Sequence, residues 1–218
     1  MKTQHSSYGT LANIYDGVLT LTGFKRGVEN FLDRIDFKLP QGAKILDAGT
    51  GTGLVALYLA KRFPDSGIIA TDINPRMLLE LKRLLREENT QNISFFQNDL
   101  NYPFEIRALG AFKTNILQEN SFDAIFVSAA LEHVDIVKTI PQLAALLKPG
   151  GVFLNLGMKK GAASAVFGMV YKFKEYSPGE IRRICGKSGL TDIQLKKLSA
   201  KDFPANLSRV AVIARKPA

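Results

Sequence analysis

The sequence predicts an α/β fold: a mainly parallel seven-stranded sheet with helices on both faces, closed at one edge by an antiparallel pair of strands. Three observations carry this reading. Short apolar runs alternate with segments of helical period, the pattern of β-strands joined by right-handed helical crossovers. Two runs, AIFVS and VFLNL, are almost wholly apolar, as strands covered on both faces should be. The last two runs have no helical segment between them, so they most simply pair antiparallel.

The elements follow in order. Residues 8–35 read as helical, with Leu11, Ile14, Tyr15, Val18 and Leu19 at helical spacing, a break near Gly23, and Val28, Phe31, Leu32 and Ile35 continuing the stripe. Pro40 and Gly42 close that region. Lys44–Ala48 is the first strand and Leu54–Arg62 a helix stopped by Pro64. Gly67–Thr71 is the second strand. Asn74 then caps a helix that has Pro75 in its favoured first position and runs to about Glu88. Ile93–Phe96 and Phe122–Val127 are the third and fourth strands, Ile140–Leu147 a helix ended by Pro149-Gly150-Gly151, and Val152–Leu156 the fifth strand. Ser177 caps a helix through Lys187, with Pro178 in its first turn, and Thr191–Lys197 and Arg209–Arg215 complete the seven strands. One domain spans 1–218, with residues 1–40 as an N-terminal helical cap and 159–180 as a lid.

Composition excludes several classes. The chain has 218 residues, 46% hydrophobic and 22% charged, typical of a globular domain with a full core. A single cysteine, Cys185, leaves no internal disulfide, and two distant histidines, His5 and His133, do not suggest a metal site. The first residues lack an apolar signal region, and no apolar run reaches the ~18 residues of a membrane span; a cytoplasmic protein is expected. Charge is unevenly spread. Residues 1–158 hold 16 basic and 16 acidic side chains, whereas 159–218 hold 13 and 4, so the whole net charge of +9 sits in the last 60 residues. That asymmetry suits an anionic partner, either nucleic acid or the surface of an anionic membrane, and equally suits a plain solvated face.

The densest signal is ILDAGTGTGLVA, residues 45–56. Glycines at 49, 51 and 53 in a strand-to-helix turn let something approach the backbone. A nucleoside-triphosphate loop is excluded, because Leu54-Val55 stands where Lys-Ser/Thr is required. A dinucleotide fingerprint is met, since Gly51-Thr-Gly53-Leu-Val-Ala56 fits G-x-G-x-x-G/A and Asp72 lies 21 residues beyond Gly51. An NAD(P)-dependent oxidoreductase therefore stays open. Asp47, however, would repel a pyrophosphate aimed into the turn and would suit an ammonium. Asp99, in QNDL, puts a further acid at the carboxyl edge of the sheet. A ligand with an amino group, a ribose diol and an adenine amine satisfies all three acids.

ILDAGTGTG, ATDIN, QNDL, FDAIFVSAALEHV and LKPGG, in this order and spacing, resemble the class I S-adenosylmethionine-dependent methyltransferases, in particular the small-molecule, quinone- and phospholipid-methylating group. The resemblance covers roughly residues 8–215 and implies a three-layer Rossmann-like fold with a seven-stranded mostly parallel sheet and an antiparallel C-terminal strand pair. It implies S-adenosyl-L-methionine as cofactor and S-adenosyl-L-homocysteine as product. It further implies that Gly49, Gly51 and Gly53 admit the methionyl part, that Asp47 helps hold its amino group, that Asp72 takes the ribose hydroxyls with Ile73 on the adenine, that Asp99 takes the adenine amine with Leu100 on the ring, and that Ser128 lines the methionyl side. Tyr15, in the YD pair of NIYDG, resembles an aromatic that closes the cofactor site, and is equally a core position.

The acceptor is less legible. Methyl transfer needs alignment and desolvation, and a base only when the acceptor must lose a proton. His133, beside Glu132 after the fourth strand, is the candidate base, with a structural histidine as its alternative. The slot in which methyltransferases of base amino groups carry an NPPY-type motif reads Ser128-Ala129-Ala130-Leu131, which counts against such acceptors without excluding other RNA sites. GAASAVFGMVY, residues 161–171, lies between lysines and reads as a lid over an apolar acceptor, a membrane-surface contact or a packed helix. Glu105–Asn120 is longer than the usual turn and is expected to shape the acceptor pocket. A small or lipid-like acceptor is the expectation, with RNA as the alternative.

Overall fold

The structure is a computed structural model describing residues 23–159, 174 and 176–218. The expected helix over 8–22, Tyr15 within it, and residues 160–173 of the lid lie outside the described residues.

In chain order the elements are α1 (Phe24–Asp33), β1 (Lys44–Ala48), α2 (Leu54–Arg62), β2 (Gly67–Asp72), α3 (Pro75–Glu87), β3 (Ile93–Gln97), β4 (Glu105–Arg107), β5 (Thr114–Ile116), β6 (Phe122–Ser128), α4 (Ile136–Leu146), β7 (Leu147–Met158), α5 (Pro178–Lys187), β8 (Thr191–Lys197) and β9 (Arg209–Arg215). Their sheet runs β5-β4-β3-β2-β1-β6-β7-β9-β8. The five central strands β3-β2-β1-β6-β7 are parallel, and the β7–β9 and β8–β9 pairs are antiparallel, as expected of the final strands.

The sheet has nine strands among the described residues, two more than the sequence predicts. The extra pair, β4 and β5, is a hairpin within the segment expected to shape the acceptor pocket. Each strand has three residues, too short for a period-2 pattern to stand out. Placed beyond β3, the hairpin lies at the outer edge, with β4, β3, β2 and β1 between β5 and β6.

Two boundaries also move. Asp135 caps α4 by accepting the Val137 N–H, so the helix begins at Ile136, before the expected Ile140, and carries Pro141 inside it. The next strand begins at Leu147 and runs to Met158, beyond the expected Val152–Leu156, with a register shift opposite Phe122 and Ala124 that accommodates Pro149-Gly150-Gly151. The cap expectations hold elsewhere. Asn74 accepts the Arg76 N–H with Pro75 at the first helical position, and Ser177 and Glu180 form a capping box on α5.

Each face of the sheet carries a core. One gathers Val28, Phe31 and Leu32 of α1, Val55 and Leu59 of α2, and Leu81 and Leu85 of α3 on Ile45, Ala70, Phe126 and Leu154. The other gathers Ile140 and Leu143 of α4 and Ile181, Ile184 and Cys185 of α5 on Leu46, Ile125, Phe153 and Val212. Burial pushes the Cys185 thiol up to about 12. The helices change face between β1 and β6, where strand order reverses, so the carboxyl ends of β1, β2 and β6 open onto the crevice where this architecture binds ligands.

Candidate active site

β1 leads into the glycine turn, and its last residues are buried. Asp47 is 0% exposed, enclosed by the turn it precedes. Its Oδ2 accepts a 2.5 Å hydrogen bond from the Thr50 hydroxyl, and the Ala56 N–H in the first turn of α2 also donates to the carboxyl. Its Oδ1 is buried with no partner among the described residues. Loss of water dominates these bonds and raises the carboxyl to about 7.

The three glycines are left-handed, with φ of 74°, 57° and 95° at Gly49, Gly51 and Gly53. Space separates them into two kinds. A Cβ on Gly49 would stand 2.3 Å from the Ala130 Cβ, and one on Gly53 2.4 Å from the Leu81 Cδ1, whereas one on Gly51 would meet nothing within 4 Å among the described residues. Packing within the protein thus demands glycine at 49 and 53, while Gly51 faces open room.

Asp72 ends β2. One carboxylate oxygen accepts the Gly51 N–H at 2.9 Å and the other the Asn74 N–H at 2.8 Å. The acid therefore clamps the glycine turn to the start of α3. Desolvation raises its pKa, against those backbone bonds and the charge of His133. His133 lies in the turn after β6 and Asp72 ends β2, the two strands that flank β1, at the carboxyl rim of the sheet. Ile73 follows with 59% of its surface exposed, and the Gln97 amide holds its carbonyl at 2.9 Å. Gln97 also accepts from Arg107 of β4, which gives the added hairpin a role in fixing this rim. Sequence reasoning missed Gln97.

Past β3, Asn98 and Asp99 separate clearly. Asn98 is buried and donates to the carbonyls of Tyr102 and Glu105, so it locks the loop. Asp99 is half-buried and accepts from the backbone and side chain of Asn101 through one oxygen. Leu100 is buried in the core on the α4 and α5 face. Ser128 is half-buried at the end of β6, and Ala129 after it adopts a left-handed φ of 50°, an unusual conformation for a residue with a Cβ. Leu131, Glu132 and His133 then form one 3₁₀ turn in which Glu132 is buried and His133 exposed. The described members of the expected set thus line one edge of the sheet. A groove of about 470 Å³ lies at the opposite edge, among Ala43, Lys44, Gly67, Ile68 and Asn92.

The comparisons agree with this fold. A family model described as a methyltransferase domain matches residues 45–151, from the glycine turn to the start of β7. An uncharacterized methyltransferase of Mycobacterium tuberculosis is 33% identical over 120 residues, 55% of this chain and 42% of the relative. The ubiquinone/menaquinone biosynthesis C-methyltransferase UbiE of Rickettsia akari is 29% identical over 184 residues, covering 79% of this chain and 67% of that protein. The fold matches phosphoethanolamine N-methyltransferase 2 of Haemonchus contortus in complex with S-adenosyl-L-methionine, with a TM-score of 0.72 at 18% identity over 100% of this chain and 59% of the other. The chain spans about two fifths of the length of the mycobacterial relative. A glycine turn clamped by the acid that ends β2 lies inside the matched region: residues 45–151 match a methyltransferase domain, and the chain shares the fold of a methyltransferase solved with S-adenosyl-L-methionine.

Proposed function

We propose that this protein transfers a methyl group from S-adenosylmethionine to a small or lipid-like acceptor. The observation that carries the reading is the turn at Gly51: a backbone with open room beside it, held by Asp72 and followed by the exposed apolar Ile73. These groups fit the cofactor. Asp72 accepts the backbone N–H groups of Gly51, Asn74 and Ile73, which leaves lone-pair capacity for a ribose hydroxyl, and Ile73 offers an apolar face to adenine. Asp99 takes the adenine amine beside Leu100. Asp47 favours the cofactor's ammonium through its field and the Thr50 and Ala56 network, and Ser128 lines the methionyl side. Tyr15 remains part of this proposal as the aromatic that closes the site.

When bound, the cofactor supplies a methyl group on a sulfonium. The chain's own work is to align the acceptor with it and to exclude water. His133 serves as general base where the acceptor must lose a proton, from its exposed place on the rim. The small-molecule reading draws support from the relatives, whose names include a quinone-pathway C-methyltransferase and a phosphoethanolamine N-methyltransferase. Neither the RNA nor the nicotinamide reading gains such support. No helix among the described residues is long and apolar enough to cross a membrane, and contact with an anionic membrane surface is a separate matter for liposome sedimentation.

Calorimetry tests the reading. Wild-type protein should bind S-adenosylhomocysteine, and Asp72→Ala should weaken that binding at least tenfold. Absence of binding by the wild type, or unchanged affinity in the variant, would overturn it.

A further inference from the structure

The carboxyl ends of β6 and β7 hold a second polar cluster, apart from the glycine turn. Glu132 is 4% exposed and Asn155 1% exposed. The Glu132 Oε1 accepts the Met158 N–H at 2.6 Å. Its Oε2, and the Oδ1 of Asn155, are buried acceptors without a partner among the described residues. Both side chains converge on Gly157. The position a Cβ would take there is 2.8 Å from the Asn155 Nδ2 and 3.4 Å from the Glu132 Oε1. Asn155 and Gly157 lie two residues apart on one strand and so share a face. That face is the one on which Phe153 packs with α4 and α5.

Buried oxygen acceptors are almost always paired, because leaving one unpaired forfeits the hydration it had in water. Two of them, on side chains that meet beside Gly157 and that turn their other polar atom toward it, form a place for a donor. The number of hydrogens selects the donor's chemistry. A hydroxyl donates once, whereas an ammonium or a primary amide donates at least twice from one nitrogen. The carboxylate of Glu132 further favours a cation.

We propose that Glu132, Asn155 and Gly157 form a recognition pocket for a nitrogen group with two or more N–H donors, an ammonium or a primary amide, carried by the methyl acceptor. Only the identification of its owner as the acceptor rests on the methyltransferase reading; the pocket itself does not. Glu132 and Asn155 act here in binding and leave the bonds of the acceptor unchanged.

The test is calorimetric titration of the full chain with butylammonium chloride and with butyramide, using tetramethylammonium chloride as a cation that has no N–H. Each titration is run with and without saturating S-adenosylhomocysteine. At least one of the first two probes should bind, and tetramethylammonium at least tenfold more weakly. Glu132→Gln should weaken the preferred probe at least tenfold, and so should Gly157→Ala, which presses a methyl group to 2.8 Å from the Asn155 amide nitrogen and displaces that side chain. S-adenosylhomocysteine affinity should stay within about twofold in both variants. Should Glu132→Gln fail to melt cooperatively, Gly157→Ala decides alone. Equal binding of tetramethylammonium, no binding of either N–H probe, or unchanged binding in the folded variants would overturn the pocket and leave the cluster as a site for ordered water. Failure of S-adenosylhomocysteine to bind the wild type, with amine binding intact, would instead remove the cofactor reading and spare the pocket.

Discussion

The two halves of the carboxyl edge are built differently. At the ends of β1 and β2, one acid after another is tied to the backbone. Asp72 spends both oxygens on the glycine turn and α3, and Asp47 takes Thr50 and Ala56. Asp47 is left with one unpaired oxygen; at the ends of β6 and β7, both Glu132 and Asn155 keep a buried acceptor without a partner among the described residues. The first arrangement suits a ligand of fixed shape, which can be met by a rigid backbone. The second suits a ligand that supplies missing hydrogens. The halves touch where Gly49 makes room for Ala130, so the turn at β1 and the loop after β6 hold each other in place.

The strongest way to break the comparison is at that contact. Gly49→Ala forces a Cβ to 2.3 Å from Ala130 on a left-handed backbone, and strain plus overpacking should cost about 2–4 kcal/mol. Denaturant melting checks this, and a loss below about 1 kcal/mol would show that the two halves are not coupled there.

Comparable in size is the effect of the buried acid. Folding raises Asp47 to about 7 from 3.8, so its contribution to stability is complete below about pH 4 and is lost as pH rises through about 7. At about 1.4 kcal/mol per unit, that is a few kcal/mol. Asp47→Asn keeps the shape without the charge. The gap between variant and wild-type stability should therefore widen in the variant's favour from pH 4 to pH 8, and parallel curves would contradict the buried charge.

Gly51 sharpens the comparison by dividing stability from binding. Its φ of 57° is left-handed but its surroundings are open, so Gly51→Ala should cost only about 1 kcal/mol. S-adenosylhomocysteine affinity should nevertheless fall more than tenfold. Melting and calorimetry on one preparation separate the two effects, and an unimpaired affinity would show that the ligand does not approach here.

The smallest effect belongs to the added hairpin. Phe112 at its tip is fully exposed, so Phe112→Ser should shift stability by less than about 0.5 kcal/mol and leave S-adenosylhomocysteine affinity unchanged. A larger shift in either would bring the hairpin tip into the working part of the molecule.

What could be read from the sequence follows from how local each cause is. The glycine turn, the Asn74 cap and the Ser177 capping box depend on residues within a few positions of one another, and all stand as expected. The β4–β5 hairpin was invisible because three-residue strands leave no periodic trace, and their stability comes from pairing with β3. The start of α4 was missed because Pro141 reads as a helix breaker, although Asp135 six residues earlier caps a helix that contains it. Asn155 carried a usable signal: it is the polar residue inside the otherwise apolar run VFLNL. Its partner Glu132 comes from a different loop, and no spacing rule joins residues 23 positions apart across two strands. The same distance effect hides the Gln97 bond that holds Ile73.

The position of β9 bears on how the molecule is assembled in time. It follows β8 in the chain but lies between β7 and β8 in the sheet, pairing with β7 from Val152 to Met158 and with β8 from Thr191 to Lys197. As the chain leaves the ribosome, β8 has no neighbour to join until β9 has emerged and docked. Until then the β7 edge, whose end carries Asn155 and Gly157, stands open. The β6–β7 side of the carboxyl edge is therefore the last to be finished, whereas the glycine-turn side can close with β1, β2 and β3 alone.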